Sequence, residues 1–145
     1  MSAQPGIGLS TGLKKIPFLR PLVSGSKDIL PTYYVCPIRF DEELAGVSRK
    51  DFVAAMNAEG LQFYQGYVQP LYLQPLYQKK QLFKHGYPFA AKENEKCRVT
   101  YAPGTAPVAE RLHFHEMLIN EHIRPPQNED DIQDILSVVE KIFNN

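Results

Sequence analysis

The sequence predicts a small α+β fold: an antiparallel sheet of about three strands with helices packed on one face. Three observations predict it. In the segment TYYVCPIRF at 32–40, Tyr34, Cys36, Ile38 and Phe40 alternate onto one side, the period of a half-buried strand. Near the C-terminus, Ile132, Ile135, Leu136, Val139, Ile142 and Phe143 fall at i, i+3, i+4, i+7, i+10 and i+11, one face of a helix. A chain of 145 residues with 43% hydrophobic and 22% charged residues is one domain with enough apolar side chains for a real core. Those proportions exclude wholesale disorder, collagen-like repeats and a coiled coil.

The elements follow in chain order. Residues 1–31 are rich in Gly, Ser, Pro and Lys and read as an irregular lead-in, broken around Pro17 and Pro21. The domain proper is expected over 32–145. Its first strand is 32–40, and Pro37, which has no N–H for the ladder, points to an edge strand or a bulge. Asp41, Glu42 and Glu43 begin a loop. Ser48 is then the N-cap of a helix, with Asp51 completing a variant capping box and Val47 and Phe52 spaced as a hydrophobic staple. The helix runs to about Glu59, where Gly60 supplies the left-handed terminal residue. LQFYQGYV at 61–68 reads as a second strand, and Gly66 in it marks a bulge or a close approach by another group.

Residues 69–104 show no period and are punctuated by Pro70, Pro75, Pro88 and Pro103. The stretch QPLYLQPLYQKK is too apolar and aromatic to lie in solvent and should pack on this chain or on a partner. Thr105 reads as the cap of a short helix through about His113, with Pro107 tolerated in its first turn. Glu116 to Ile123 reads as the third strand, stopped by Arg124-Pro125-Pro126. Asn128 caps the last helix, and Glu129, Asp130 and Asp131 fill its first turn, where the helix dipole favours anions.

Composition narrows function by exclusion. Sixteen basic residues balance sixteen acidic ones, which disfavours a nucleic-acid binder. No apolar run is long enough to span a bilayer, and the N-terminus lacks the basic and apolar regions of a signal peptide. Cys36 and Cys97 are too few for a disulfide scaffold and read as reduced thiols of a cytoplasmic protein. Cys36 sits on the apolar face of a strand, where a thiol is inert packing. Cys97 lies beside Lys96 and Arg98, which favour thiolate, but no base or oxyanion site accompanies it. His113 and His115, with Glu110, Glu116 or His122, could approach a metal, yet the spacing lacks the specificity of a zinc site and no metal is expected. Gly6-Ile7-Gly8 fails the dinucleotide-binding glycine pattern. From the residues alone, no catalytic group is identified.

Several stretches, in order, resemble a known family. They are Tyr33-Tyr34-Val35-Cys36-Pro37-Ile38-Arg39-Phe40; Ser48-Arg49-Lys50-Asp51-Phe52, opening a helix that ends Ala58-Glu59-Gly60; Pro70-Leu71-Tyr72-Leu73-Gln74-Pro75-Leu76-Tyr77; Ala106-Pro107-Val108-Ala109-Glu110-Arg111-Leu112; and Arg124-Pro125-Pro126 with Glu129-Asp130-Asp131-Ile132. From about residue 9 to the end, this order and spacing resemble the C-terminal small domain of the DegT/DnrJ/EryC1/StrS family of pyridoxal-phosphate-dependent sugar aminotransferases, of the aspartate-aminotransferase fold type. The resemblance implies a short antiparallel sheet with helices. It implies a substrate that is a nucleotide-linked keto-sugar or a cyclitol, glutamate or glutamine as amino donor, and a homodimer with the active site at its interface.

In the family, pyridoxal phosphate is held by a large N-terminal domain that supplies the Schiff-base lysine, the acid facing the pyridine nitrogen, the stacked ring and the phosphate-binding groups. None has a counterpart here, and Lys79, Lys80 and Lys84 lie outside the family's lysine motif. The expectation is therefore that the large cofactor domain is absent, that this chain alone binds no cofactor and does not transaminate, and that it shapes the substrate pocket and closes the cofactor cleft of a complete enzyme. The substrate-facing residues implied are Tyr72, Gln74 and Tyr77. Many members have a histidine at the position of Tyr72; a tyrosine still donates a hydrogen bond but carries protons poorly near neutral pH. The other reading is a free-standing ligand- or protein-binding module derived from such a domain. A dissected domain should expose an apolar patch around Leu71, Leu73, Leu76 and Tyr77, whereas a free-standing module should cover it or self-associate through it.

Overall fold

The computed structural model describes residues 5–22, 26, 28, 29, 31–121, 123 and 126–144. The elements, in order, are α1 (Pro5–Leu13), β1 (Leu19–Pro21), β2 (Cys36–Phe40), α2 (Glu42–Ala45), α3 (Arg49–Ala58), β3 (Phe63–Gln65), α4 (Pro75–Gln78), α5 (Pro107–Arg111), β4 (Met117–Asn120) and α6 (Glu129–Asn144). The strands form an antiparallel sheet in the order β1-β2-β4-β3. The α+β class and the antiparallel sheet agree with expectation. Four strands stand where about three were expected, and the fourth comes from the lead-in.

That lead-in is the largest difference from the sequence reading. Pro5–Leu13 is a helix rather than irregular chain. Its sequence, PGIGLSTGL, hides this, because three glycines depress intrinsic helix propensity. Packing overrides propensity: Leu9 and Leu13 are fully buried, and α1 lies so close to α6 that a Cβ on Gly12 would stand 2.3 Å from a methyl of Leu136. The glycines thus serve helix–helix approach, a signal invisible without the partner helix.

The core lies between the sheet and α1, α3 and α6. Cys36, Ile38 and Phe40 of β2 face it, as the alternation predicts, together with Leu118 and Phe63. Tyr34 does not join them; it precedes the strand and is exposed. At the centre, Phe52 of α3 stacks on Phe40 at 4.9 Å and meets Phe18, Phe63 and Phe143 at 5.8–6.4 Å between ring centroids. Phe52 is thereby drawn inward, while Val47 stays exposed. From α6, Ile132, Ile135 and Val139 are buried and Leu136, Ile142 and Phe143 partly so, the face that the helical period picks out.

Pro37 is not on an edge strand, because β2 has neighbours on both sides. Its carbonyl accepts from the Leu22 N–H at 3.0 Å, one position beyond the last β1–β2 pair. In an extended residue N and C=O point to the same side, so the missing donor faces the place where β1 has run out. Asp41, Glu42 and Glu43 do not open a loop but the short helix α2, because the Asp41 side chain accepts from Leu44 N at 3.1 Å and so caps it. Ser48 caps α3 as expected, accepting from Asp51 N at 3.1 Å, and Gly60 adopts φ +87° after it. Asn128 accepts from Asp130 N at 2.6 Å while Asp131 accepts from Asn128 N at 2.7 Å, a reciprocal box at the start of α6. Thr105 is not a cap: its hydroxyl donates to the Ala102 carbonyl at 2.6 Å, and Ala106 occupies the cap position of α5. The third expected strand is shorter than 116–123, because 112–116 forms a π-helical turn ahead of β4. Its expected stop at Arg124-Pro125 lies outside the described residues. Among the described residues no helix is long and apolar enough to cross a membrane.

Candidate functional site

The chain leaves β3 at Gly66, runs through the long segment 69–104 and returns at α5. That segment is a packed unit. It contains α4 and three 3₁₀ turns, at Leu71–Leu73, Lys84–Gly86 and Lys92–Asn94. Tyr77, Phe89 and Tyr101 form a three-ring cluster with centroids 5.1–6.3 Å apart. The Gln78 side-chain amide donates to the Tyr72 carbonyl at 2.7 Å and the Tyr101 carbonyl at 2.6 Å, tying the start of the segment to its end. The aromatic run therefore packs on its own loop. Leu71 is still 68% exposed, while Leu73, Leu76 and Tyr77 are half-buried, so the bare apolar patch is narrower than expected.

The three residues singled out from the sequence have distinct places. The Tyr72 hydroxyl donates to a carboxylate oxygen of Glu110, which also accepts the Gly104 N–H at 2.7 Å. Burial, then the bond and charge of Glu110, push the Tyr72 pKa up; the Tyr72 bond, then the Gly104 and Ala106 amides, hold Glu110 down. Tyr72 is thus fixed as a protonated donor. Gln74 donates to the Gln69 carbonyl at 3.2 Å, and Tyr77 contributes its ring to the cluster. A cavity of about 210 Å³ beside the cluster is lined by Lys80, Phe89, Cys97 and Tyr101 among others, and none of the three residues lines it. Glu110 was missed as the partner of Tyr72. The available signal was an acid in the first turn of a helix behind Pro107, which reads equally well as dipole pairing.

Beneath the loop sits the π-helical turn. Arg49, only 7% exposed, crosses from α3 and donates to the carbonyls of His113 at 3.1 Å, Phe114, and Met117 at 3.0 Å. A π turn leaves backbone carbonyls without ordinary helical partners, and one planar guanidinium satisfies two of them, at His113 and Phe114, while also bonding Met117 at the start of β4. Burial lowers the Arg49 pKa and neighbouring Glu42, which accepts the Arg49 backbone N–H at 2.7 Å, opposes that. At the end of the turn Glu116 pairs with Arg39 of β2 at 2.9 Å and Arg111 of α5 at 3.1 Å. The sequence offers only Glu116 of these, as a possible metal ligand, since contacts 64–77 positions apart leave no local trace.

His113 packs its imidazole against Gly66, and its Nδ1 is buried. Burial, then the charge of Arg49, push its pKa below the usual 6.5. The folded protein therefore resists protonating His113 while the unfolded chain accepts the proton. Stability from this source is complete above pH 6.5 and falls as acid protonates the unfolded state, until the lowered folded pKa is passed. His113→Gln should flatten the stability profile between pH 7 and pH 5, as urea melts across that range would register; a parallel profile would refute the assignment.

His115 is exposed, His122 lies outside the described residues, and no group of three candidate ligands is arranged for a metal among the described residues. Cys36 is buried under the sheet and burial pushes its thiol up to about 11, the inert packing expected of it, whereas Cys97 is exposed. Every described lysine is exposed, so these residues do not fit a Schiff-base site, which needs a sheltered amine beside a fixed cofactor.

No family model and no curated protein matches the chain. Several solved chains share its fold, and two of them show how much of it they share. One is S. venezuelae DesV in complex with a ketimine intermediate, at 16% identity and a TM-score of 0.60, matched over 97% of this chain and 30% of that one. The other is a DegT DnrJ EryC1 StrS aminotransferase from Brucella abortus, at 21% identity and a TM-score of 0.60, matched over 99% of this chain and 31% of that one. The chain thus spans about 30% of the length of the structures it matches and has the fold of one part of such enzymes. The likeness at the level of fold agrees with the resemblance read from the sequence.

Proposed function

We propose that this chain is the small domain of a pyridoxal-phosphate-dependent aminotransferase acting on a nucleotide-linked keto-sugar or cyclitol. The supporting observation is coverage: nearly the whole chain superposes on under a third of two aminotransferase chains. In the complete enzyme, pyridoxal phosphate supplies the electron sink for amino transfer. A larger domain holds it, since the described lysines here are exposed. This chain closes over that cleft, within a homodimer, and the amino donor and sugar enter beneath it. The 69–104 loop faces substrate, with Tyr72, its one O–H held by Glu110, as a fixed hydroxyl acceptor, Gln74 as an adaptable amide and Tyr77 as part of an aromatic wall.

The test is a chimera in which this chain replaces the matching 31% of the Brucella abortus enzyme. The chimera should bind pyridoxal phosphate and transfer an amino group, and the chain alone should do neither. A folded, cofactor-loaded but inactive chimera would overturn the reading. So would lysine-dependent turnover by the isolated chain.

A further inference from the structure

The sheet order leaves β1 and β3 as its two edges. An open edge offers backbone N–H and C=O groups to any other strand, so folded proteins block it. At β1 the block is local. The Leu19 N–H turns away from the sheet and donates to the Ile16 carbonyl at 3.1 Å, while Leu22 N, on the other side, reaches the Pro37 carbonyl of β2 at 3.0 Å. Inward and outward positions alternate along a strand. Pro21 therefore shares the outward side with Leu19, and it brings no N–H there. Exposed Arg20 adds a charge.

The β3 edge has neither guard. From Gly60 to Gln78 the sequence holds no charged residue, and no proline interrupts 61–69. Gly66 N donates to Met117 O of β4 at 2.7 Å, and Tyr64, two residues back, faces Ile119 in the same register. Phe63 and Gln65 therefore turn their backbone groups outward. One side chain stands on that edge. Asn57, in the last turn of α3, accepts from Phe63 N at 2.8 Å and donates to the Phe63 carbonyl at 3.1 Å. A carboxamide has both a donor and an acceptor, so this one makes both bonds that a neighbouring strand would make to Phe63.

The register shows which strand would fit in its place. Two copies of β3, antiparallel about a two-fold axis at Tyr64, set Phe63 of each copy opposite Gln65 of the other as hydrogen-bonded pairs. The two Tyr64 side chains then lie directly opposite, the closer class of cross-strand pair. Every bonded pair in that arrangement needs a Phe63, so an Asn57 on each copy closes all of it. We propose that Asn57 is an autoinhibitory contact, which keeps a second copy of this chain from adding its β3 to this edge. The inference stands apart from the function proposed above.

Sedimentation velocity of the full chain over a concentration series tests it. Asn57→Ala should self-associate roughly tenfold more tightly than the unsubstituted chain. Exchange of its Phe63 and Gln65 amides should slow as concentration rises. Asn57 also ties α3 to β3, so urea melts accompany each variant. Asn57→Leu keeps comparable bulk without either hydrogen bond and carries the same expectation should the alanine variant unfold. Adding Tyr64→Lys to either variant should return association to the unsubstituted level, because it sets like charges opposite each other on the axis, and should not restore the stability lost with Asn57. Unchanged association in a folded variant, association indifferent to Tyr64→Lys, or protection that develops away from β3 would each overturn the proposal. Unfolding of both Asn57 variants would overturn it too, by making the amide a purely structural tie.

Discussion

Replacing Arg49 with methionine should destabilise the fold by about 3 kcal/mol, because it strips a donor from three backbone carbonyls at once. Methionine matches much of the arginine stem, so the apolar packing of α3 is largely kept. What disappears is the guanidinium, which bonds the carbonyls of His113, Phe114 and Met117. The His113 and Phe114 oxygens, in a π-helical turn, have no ordinary i+4 donor to fall back on, whereas the Met117 oxygen keeps the Gly66 N–H at 2.7 Å. Arg49→Lys should cost nearly as much, since an ammonium is a point donor and lacks the planar fork that spans three oxygens. Both variants would be read by urea unfolding, with amide exchange across 112–117 as the local report. If Arg49→Met changed stability by less than 1 kcal/mol, or if exchange in the turn stayed slow, the guanidinium would not be what holds it. The turn matters beyond its own stability, because α5 on one side of it carries Glu110, the partner of Tyr72.

What the sequence discloses and what it conceals divide along contact range. The α3 cap at Ser48, the α6 cap at Asn128, the helical face of Ile132 to Phe143 and the alternation of Cys36, Ile38 and Phe40 are all set within a few residues, and each is legible. Gly66 also is legible as a place of close approach, although not what approaches. Hidden elements owe their form to distant partners. PGIGLSTGL is a poor helix by propensity and a helix in fact because Ile132 and Leu136 wait for its glycine face. Leu19–Pro21 is too short to show a period and is a strand only against 38–40. The π turn, read as a helix running into a strand, exists because an arginine from α3 satisfies it. The candidate site is less legible still. Tyr72, Gln74 and Tyr77 are marked by resemblance, but the pairing of Glu110 with Tyr72 and the reach of Arg49 to the π turn join separate elements, so no local pattern announces either contact.

Gly66→Ala should cost about 3 kcal/mol, and a comparison inside the same protein separates its two causes. Gly66 has φ +67°, a conformation that strains any L side chain by roughly 1–2 kcal/mol. Gly46 has nearly the same φ, +69°, with nothing within 4 Å of where a Cβ would stand. Gly46→Ala should therefore show the backbone cost alone, about 1 kcal/mol. At Gly66 the new methyl would lie 2.8 Å from the His113 carbonyl oxygen and 2.9 Å from His113 Nδ1. The imidazole could swing aside, but the carbonyl is held by Arg49 at 3.1 Å and cannot move without breaking the turn. The double variant Gly66→Ala, His113→Ala should accordingly recover only the part of the loss due to the ring. Full recovery would locate the conflict in the imidazole and free the backbone from blame. Equal losses at Gly46 and Gly66 would show that the π turn yields readily. In that case Gly66 would not fix the start of the 69–104 loop.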